Sequence, residues 1–287
     1  MNISAITKNL VDYVGYPIVY NRNPIFAIKH ALLSALSLCA AKWLLSKKKL
    51  HTIASACAAP HTFRTPFGTF EADTWDAWMR FHPTYEAAIR TIILDKKEQH
   101  HQSGNNVVIN IGANVGRWTI ELAKMWYTVL AFEPIPRVFE KLQKNIGLSG
   151  LEDKVSASNV ALGDENKQEV MHVFRFHEWA SYLNDALDSY SLDQAETFTV
   201  PVVAFDSIDH ISQSSKEKAS IVLIDVEGYE LSVLKWMDQF IASTGSIDFF
   251  LEIHPTSRTR QATIQFMIDR GFDWKEIDDK NNWHFYK

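Results

Sequence analysis

The second half of the chain alternates short apolar runs with stretches of helical spacing. Residues 107–111 (VVINI) and 128–132 (TVLAF) are apolar runs of strand length, and residues 117–126 between them carry apolar side chains at helical intervals. Two buried strands with a helix between them form a βαβ unit. Further strands are predicted over residues 155–160, 221–225 and 247–253, with helices over 136–146 and 260–269. The pattern predicts a doubly wound α/β sheet that is mostly parallel.

The end and the middle of this region depart from the alternation. Residues 272–277 and 283–286 have the pattern of two aromatic-rich strands joined by a polar turn, which predicts a C-terminal antiparallel hairpin on the sheet. A dinucleotide-binding sheet would continue with parallel strands instead. Residues 164–219 form an insertion with strand-like stretches at 169–176 and 198–204. We expect this insertion to lie near the strand ends and to shape the site that binds the acceptor substrate.

The first 60 residues differ in character from the rest and are predicted to form an N-terminal helical extension, with the main domain over residues 61–287. Residues 25–45 are strongly apolar, but Lys29 and Lys42 interrupt them, and a membrane span needs about 20 apolar residues. The stretch therefore fits either a helix packed on the main domain or an attachment to a membrane. In the second case the lysines at 47–49 favour the cytoplasmic face.

Charge and cysteine content narrow the class of partner. The formal net charge is -5, so no overall basic field favours binding to nucleic acid. The two cysteines, Cys39 and Cys57, form neither a disulfide framework nor a set of zinc ligands and are typical of a reducing compartment. We therefore expect a cytoplasmic protein with a small-molecule or glycan substrate.

A turn bounded by glycines closes the first predicted strand. Gly112 and Gly116 in GANVG let the backbone turn sharply and bring its N–H groups against a ligand. The G-x-x-x-G spacing differs from the G-x-G-x-x-G of dinucleotide sites and favours the methionine half of S-adenosylmethionine, although a plain packing turn has the same pattern. Glu133 ends the next strand, where an acidic residue accepts hydrogen bonds from both ribose hydroxyls. By topology, Asn159 and Val160 would then flank the adenine.

Acidic residues follow the later strands. Asp225, Glu227 and Glu230 lie in IDVEGYE, and Glu252 and His254 lie in LEIHP. Because both segments end neighbouring parallel strands, these side chains are candidates for a general base, and Asp225 with Glu252 for ligands of a divalent metal. Other roles stay open. Asp225 could cap the following helix, Glu230 fits better as a solvated residue on that helix, and His254 fits a structural hydrogen bond equally well.

The order of these motifs is similar to that of a known family. The segments VVINIGANVGRWTI, AFEP, NVALGD, LIDVEGYELSVL and FFLEIHP, within residues 85–255, resemble FkbM-type methyltransferases. The resemblance implies a class I methyltransferase fold, which has a Rossmann-like, mostly parallel sheet of seven strands. It also implies methyl transfer from S-adenosylmethionine to an oxygen, often a hydroxyl of a sugar or glycan-like acceptor. The family usually has Asp where this chain has Asn110, which removes a charge that would favour the cationic cofactor. By the resemblance, the cofactor positions are Gly112, Ala113, Asn114, Gly116 and Glu133, and the acidic motif is Asp225, Glu227 and Glu230.

Together these observations predict an S-adenosylmethionine-dependent O-methyltransferase. A neutral hydroxyl is a poor nucleophile, so a base or metal is needed to remove its proton. Asp225 is the first candidate for the base, followed by Glu227, Glu252 and His254. Two alternatives remain open: a methyltransferase fold that binds without catalysing, and an NAD-dependent reductase.

Overall fold

A computed structural model of the chain describes residues 61–72, 81, 85–163, 165–174, 181–183, 195–205, 208, 213–255, 257–277 and 281–287. The chain divides into two compact units, residues 1–87 and 88–287. The predicted helical extension over residues 1–60, with its apolar stretch at 25–45, lies outside the described residues. Within the described part of the chain, no helix is both long enough and apolar enough to cross a membrane.

The described part of the first unit is built around a hairpin of β1 (His61–Arg64) and β2 (Thr69–Ala72). Its turn is fixed by the Thr65 hydroxyl oxygen, which accepts the N–H groups of Phe67 at 3.0 Å and Gly68 at 3.1 Å. Phe70 packs on Phe81 with 4.1 Å between the ring centroids.

The second unit is built around a sheet of seven strands in the order β12-β13-β11-β10-β3-β4-β5. All neighbouring pairs from β5 to β11 are parallel, and β13 runs antiparallel to both of its neighbours, β11 and β12. The mostly parallel sheet and the C-terminal antiparallel hairpin confirm the predicted fold class. The strands of this sheet are β3 (Val107–Ile111), β4 (Thr128–Phe132), β5 (Val155–Ser158), β10 (Ala219–Ile224), β11 (Asp248–Glu252), β12 (Asp273–Glu276) and β13 (Asn282–Tyr286).

Helices connect these strands, and the ends of the helices follow local signals. α3 begins at Pro136, whose fixed backbone suits the first helical position, and ends before Gly150, which takes the left-handed φ of 64°. The helix is therefore a few residues longer than the predicted 136–146. The helices are α1 (Ala87–Ser103), α2 (Arg117–Lys124), α3 (Pro136–Ser149), α4 (Gln213–Glu217), α5 (Glu230–Trp236), α6 (Asp238–Ser243) and α7 (Arg260–Asp269).

A second sheet has four strands in the order β6-β9-β7-β8, and three of them, β7, β8 and β9, lie within the predicted insertion. Two of its strands were predicted at approximately these positions, and the other two are short. Gly163 is the last residue of β6, and a β-carbon there would lie 2.0 Å from Cγ1 of Val202 on the neighbouring strand. Close pairing of β6 with β9 therefore requires a glycine. The strands are β6 (Ala161–Gly163), β7 (Lys167–Phe174), β8 (Ser181–Leu183) and β9 (Ala195–Ala204).

A buried polar network ties α1 to the amino-terminal edge of the main sheet. Asp248, the first residue of β11, accepts from Nε2 of His284 at 2.6 Å and from the Lys96 ammonium at 2.5 Å. His100 Nε2 lies 3.4 Å from the same carboxylate, and His100 Nδ1 lies 2.9 Å from the Tyr127 hydroxyl. Burial disfavours the charge on Asp248, but hydrogen bonds from His100, His284 and Lys96 outweigh it and hold the pKa of this carboxyl well below its usual range.

Candidate active site

A cleft lies at the carboxyl ends of β3, β4 and β10, where parallel α/β sheets bind their ligands. Its empty volume is about 650 Å³, including its open mouth. One wall comes from the main sheet and the other from β6 and β7 of the second sheet. The lining residues are Ile111, Gly112, Asn114, Phe132, Glu133, Pro134, Val160, Ala161, Leu162, Met171, Asp225, Val226, Glu227, Tyr229 and Val233.

The glycine turn, residues 112–116, forms the floor of this cleft. Gly112 and Gly116 have φ values of 82° and 96°, and Asn114 also lies in the left-handed region with φ 52°. These values explain the glycines, because other L-residues rarely adopt them. A β-carbon on Gly112 would also meet the backbone oxygen of Asp225 at 1.8 Å. The turn therefore depends on glycine both for its conformation and for its closeness to β10.

The N–H groups of the glycine turn are used within the protein, which corrects the expectation that they face a ligand. Those of Gly112 and Ala113 both donate to the Phe132 carbonyl oxygen, at 3.0 and 2.9 Å. The other three N–H groups also have protein acceptors: Glu133 Oε2 for Asn114, Asn114 Oδ1 for Val115 and the Ala113 carbonyl oxygen for Gly116. The turn lies so close to the end of β4 that three of its donors are satisfied there, and the other two are satisfied within the turn. It consequently presents no row of N–H groups to an anionic phosphate.

Glu133 lies at the end of β4 and is only 5% exposed. Its Oε2 accepts the N–H of Asn114 and its Oε1 accepts the N–H of Ile135, both at 2.9 Å. Burial raises the pKa of Glu133 to about 7; the Ile135 and Asn114 N–H groups lower it, and the charge of Asp225 raises it. Two backbone donors thus fix this carboxyl at the cleft, and its raised pKa lets it gain or lose a proton near neutral pH.

The acidic turn, residues 225–229, lines the same cleft as Glu133. Asp225 is exposed and follows β10 directly. Glu227 and Gly228 have φ values of 52° and 101°, so the backbone turns sharply before α5. Asp225 is not the N-cap residue suggested from the sequence, because Tyr229 takes that position, and the Tyr229 side chain makes no capping hydrogen bond. Asp225 and Glu227 instead line the cleft.

Glu230 is fully buried, with 0% exposure, and is not the solvated residue that the sequence favoured. Its Oε1 accepts the N–H of Gly228 at 2.8 Å. Its Oε2 is buried and has no hydrogen-bond partner among the described residues. Burial raises the pKa of Glu230 to about 7; the backbone N–H groups of Gly228, Glu230 and Val226 lower it, and the charge of Asp225 raises it. Helical position alone does not reveal this burial, since the first residue of a short helix can face either way.

These motifs match a known family. The profile of the methyltransferase FkbM domain matches residues 110–277, more than half of the chain. The chain belongs to the FkbM methyltransferase family. "Methyltransferase 1" of Beauveria bassiana (strain ARSEF 2860) is 26% identical over 148 residues, which are 47% of this chain and 59% of that protein. The chain thus spans about three fifths of that relative's length.

Solved structures similar to this chain include an FkbM methyltransferase and P. horikoshii TYW2. The FkbM methyltransferase of Methylobacillus flagellatus KT is 12% identical with a TM-score of 0.44, and the match covers 99% of this chain and 60% of that one. P. horikoshii TYW2, solved in complex with MeSAdo, is 14% identical with a TM-score of 0.41, covering 80% and 70%. The assignment to the FkbM family rests on the family match, not on these distant likenesses.

Three of the residues predicted to bind cofactor in this FkbM domain are buried and do not belong to the cleft lining. Asn110 is 4% exposed, and its amide donates to the Thr119 hydroxyl at 2.8 Å. Ala113 and Gly116 are also buried. Asn159 does not line the cleft either: its amide donates to the carbonyl oxygens of Glu133 and Pro134 at 2.8 and 2.9 Å. Direct cofactor contact by these residues stays a prediction, and what they visibly do is support the cleft.

The second pair of candidate catalytic residues is set apart from the cleft. Glu252 ends β11 and is half-buried, and the exposed His254 follows it, but neither belongs to the cleft lining. No group of three or more His, Cys, Asp or Glu side chains in the described ranges is placed to hold a metal ion. The suggestion that Asp225 and Glu252 bind a divalent metal is therefore not supported.

Several apolar lining residues were not singled out from the FkbM sequence. Tyr229 lies inside the IDVEGYE motif, so its position next to the acidic residues was a usable signal. Leu162 and Met171 reach the cleft from β6 and β7 of the second sheet. Leu162 lies inside the NVALGD segment, whereas no local pattern marks Met171, because only the packing of that sheet brings it to the cleft.

Proposed function

We propose that this protein transfers a methyl group from S-adenosylmethionine to a hydroxyl oxygen of a sugar or glycan-like acceptor. The observation that carries the proposal is the meeting of Glu133 with Asp225 and Glu227 in one cleft at the ends of β4 and β10. Membership of the FkbM family supports methyl transfer, and the resemblance of the motifs to that family supports an oxygen acceptor.

The cleft fits the parts of S-adenosylmethionine. A carboxylate offers about four lone-pair directions, and Glu133 uses one on each oxygen for backbone N–H groups, which leaves capacity for two ribose hydroxyls. The apolar side chains of Val160, Leu162 and Met171 suit the adenine. When bound, the cofactor supplies a methyl group on a positively charged sulfur, and the carboxyl groups of the cleft favour that charge.

A nicotinamide dinucleotide fits this cleft less well. Its pyrophosphate needs N–H donors at the glycine turn, and all five in residues 112–116 already have acceptors within the protein. The antiparallel β13 also replaces the parallel strand with which a dinucleotide-binding sheet continues. Both features argue against the reductase alternative.

Asp225 is the proposed general base. It is exposed at the cleft, so its carboxylate can accept a hydrogen bond from the acceptor hydroxyl and take the proton as the oxygen attacks the methyl carbon. Glu227 lines the same wall and is the second candidate. The buried carboxyls of Glu133 and Glu230 have other roles: Glu133 orients the cofactor, and Glu230 lies behind the wall.

Two measurements test the proposal. Calorimetry should detect binding of S-adenosylhomocysteine, the demethylated product, and no binding of NAD. Methyl release from labelled S-adenosylmethionine should then appear with at least one member of a panel of sugars and glycans. Binding of S-adenosylhomocysteine without transfer to any hydroxyl acceptor would identify a binding protein and contradict the proposed activity.

The cellular setting is part of the same proposal and rests on the sequence. A reducing compartment suits the two cysteines, Cys39 and Cys57, and the apolar residues 25–45 would either pack on the main domain or attach the protein to the cytoplasmic face of a membrane. Sedimentation of the full chain with vesicles of mixed neutral and anionic lipids distinguishes the two, using a chain that begins at residue 61 as the control.

A further inference from the structure

Glu230 has three properties that are not expected of a solvated residue on a short helix. It is fully buried, its Oε1 accepts the Gly228 N–H, and its Oε2 has no hydrogen-bond partner among the described residues. Burial of a carboxyl group with an unpaired oxygen costs free energy, and the cost is larger when the group is ionised. A folded protein keeps such a group where it has a role in the fold or the function. Glu230 therefore has a role that compensates for this cost.

The contact of Glu230 lies at the most constrained point of the acidic turn. Gly228, whose N–H it accepts at 2.8 Å, has φ 101°, and the preceding Glu227 has φ 52°, a conformation that a residue with a side chain rarely adopts. Such a conformation persists only where the surroundings determine it. The Glu230 side chain supplies a direct restraint on this point, from the side away from solvent.

The acidic turn, which Glu230 restrains in this way, carries the proposed general bases. Asp225, Glu227 and Tyr229 line the cleft, whereas Glu230, the next residue, does not. We propose that Glu230 is a positioning residue that braces the acidic turn through Gly228 and so fixes where the Asp225 and Glu227 carboxylates stand. The inference deepens the proposed function and rests on it.

The unpaired oxygen predicts which substitutions Glu230 tolerates. Bracing requires only that Oε1 accept the Gly228 N–H, and a neutral group suits the buried Oε2 better than a charge does. Glu230→Gln keeps an acceptor of the same shape and is neutral. Glu230→Met fills a similar volume and is also neutral, but it offers the Gly228 N–H only a weak sulfur acceptor. The two variants therefore differ mainly in whether the side chain at position 230 can accept the Gly228 N–H.

The experiment compares these two variants with a buried control from the same helix. Leu234→Ala removes a fully buried side chain of α5 that does not line the cleft. With saturating substrates, Glu230→Met should lower kcat by about 10- to 100-fold, the range expected for a misplaced catalytic group. Glu230→Gln should stay within a few-fold of the wild type, and all three variants should bind S-adenosylhomocysteine with nearly unchanged affinity. Leu234→Ala should lower the melting temperature and keep its kcat.

Three outcomes would overturn the positioning role. Glu230→Gln and Glu230→Met could lose kcat equally, or Glu230→Met could keep the full kcat. The loss of kcat could also parallel a loss of affinity for S-adenosylhomocysteine. Hydrogen exchange at the Gly228 amide provides a measurement that needs no activity and no variant. Protection of that amide in the wild-type chain is expected, and rapid exchange there refutes the brace even if every variant fails to fold. If the wild type transfers no methyl group, the proposed function fails, while the exchange measurement still decides whether the brace exists.

Discussion

The backbone carbonyl oxygen of Asp225 occupies the space beside Gly112 in which a side chain would begin. A β-carbon on Gly112 would lie 1.8 Å from that oxygen. Gly112 directly follows β3, Asp225 directly follows β10, and the Asp225 N–H donates to the Ile111 carbonyl oxygen at 3.1 Å. The glycine turn and the acidic turn thus touch through their backbones, so the positions of the proposed cofactor and acceptor groups depend on each other.

Gly112→Ala should disrupt both turns. The new methyl group forces the backbone of Asp225 away, and alanine also resists the φ of 82°. The free energy of unfolding should fall by more than the roughly 1–2 kcal/mol expected for left-handed alanine alone, and S-adenosylhomocysteine binding should weaken. Chemical denaturation and calorimetry measure the two effects.

Gly150→Ala is the matched control for that substitution. Gly150 also has a left-handed φ, 64°, but no atom lies within 4 Å of its β-carbon position. It should therefore show the backbone cost alone and leave ligand binding intact. If the two variants are equally stable and bind equally well, the close approach of Gly112 to Asp225 has no consequence.

Binding of S-adenosylhomocysteine should strengthen as the pH rises through about 7. The pKa of the buried Glu133 is raised to about 7, and hydrogen bonds from ribose hydroxyls favour its ionised form. Below that pH, binding must release a proton, so affinity should fall by at most about tenfold for each pH unit. Titration calorimetry in buffers of different ionisation enthalpy measures the released proton directly.

Glu133→Gln removes the titrating group and is the control for this pH dependence. The variant should bind more weakly at pH 8 and should lose most of the pH dependence between 6 and 8. Glu133→Ala should also weaken binding, and unchanged cofactor affinity in that variant would rule out the ribose contact. S-adenosylhomocysteine is the suitable ligand for comparing the wild type with Glu133→Gln, because its sulfur is neutral. Charges on Asp225 and Glu230 then affect its binding less than they would affect the binding of the positively charged S-adenosylmethionine.

The buried network around Asp248 should make the fold sensitive to acid. Hydrogen bonds hold the pKa of Asp248 below its usual 3.8, and burial lowers that of His284 below 6.5. In both cases the unfolded chain binds the proton more readily, so this part of the stability is complete at neutral pH. It is lost as the pH falls below about 6.5 through His284 and further below about 4 through Asp248.

Asp248→Asn should lower the free energy of unfolding by roughly 3 kcal/mol or more at pH 7, because Lys96 and His284 lose a buried charged partner. Asp273→Asn, at an exposed position on β12, should change it by no more than about 0.5 kcal/mol. Urea unfolding at pH 5 and pH 7 measures both. Asp248 stays ionised over this range, but without its charge the pKa of the buried His284 falls further below 6.5, so the gap between wild type and Asp248→Asn should widen at the lower pH. A gap that narrows between pH 7 and pH 5 would contradict this account of the network.

Some elements and site residues could be predicted from the sequence, and others could not. The strands ending at Ile111 and Phe132, and the hairpin at the chain end, follow from local apolar patterns, which is why the sheet and the position of Glu133 could be predicted. Glu230 and Asp248 could not be placed, because their burial depends on partners distant in sequence or on the direction of a turn. The N–H groups of the glycine turn were assigned to a ligand because sequence does not show that β4 ends against them.

Substitution of the candidate bases should identify which carboxylate takes the acceptor proton. Asp225 is exposed at the cleft, whereas Glu252 and His254 do not line it. Asp225→Asn should therefore lower kcat by about 10²- to 10⁴-fold, the usual contribution of a positioned general base, with nearly unchanged S-adenosylhomocysteine affinity. Glu252→Gln, the matched change at the end of the neighbouring strand, should have a much smaller effect on kcat. If Glu252→Gln shows the larger loss, proton removal takes place beside β11, and the acceptor must then bind across the ends of β10 and β11, not against the acidic turn.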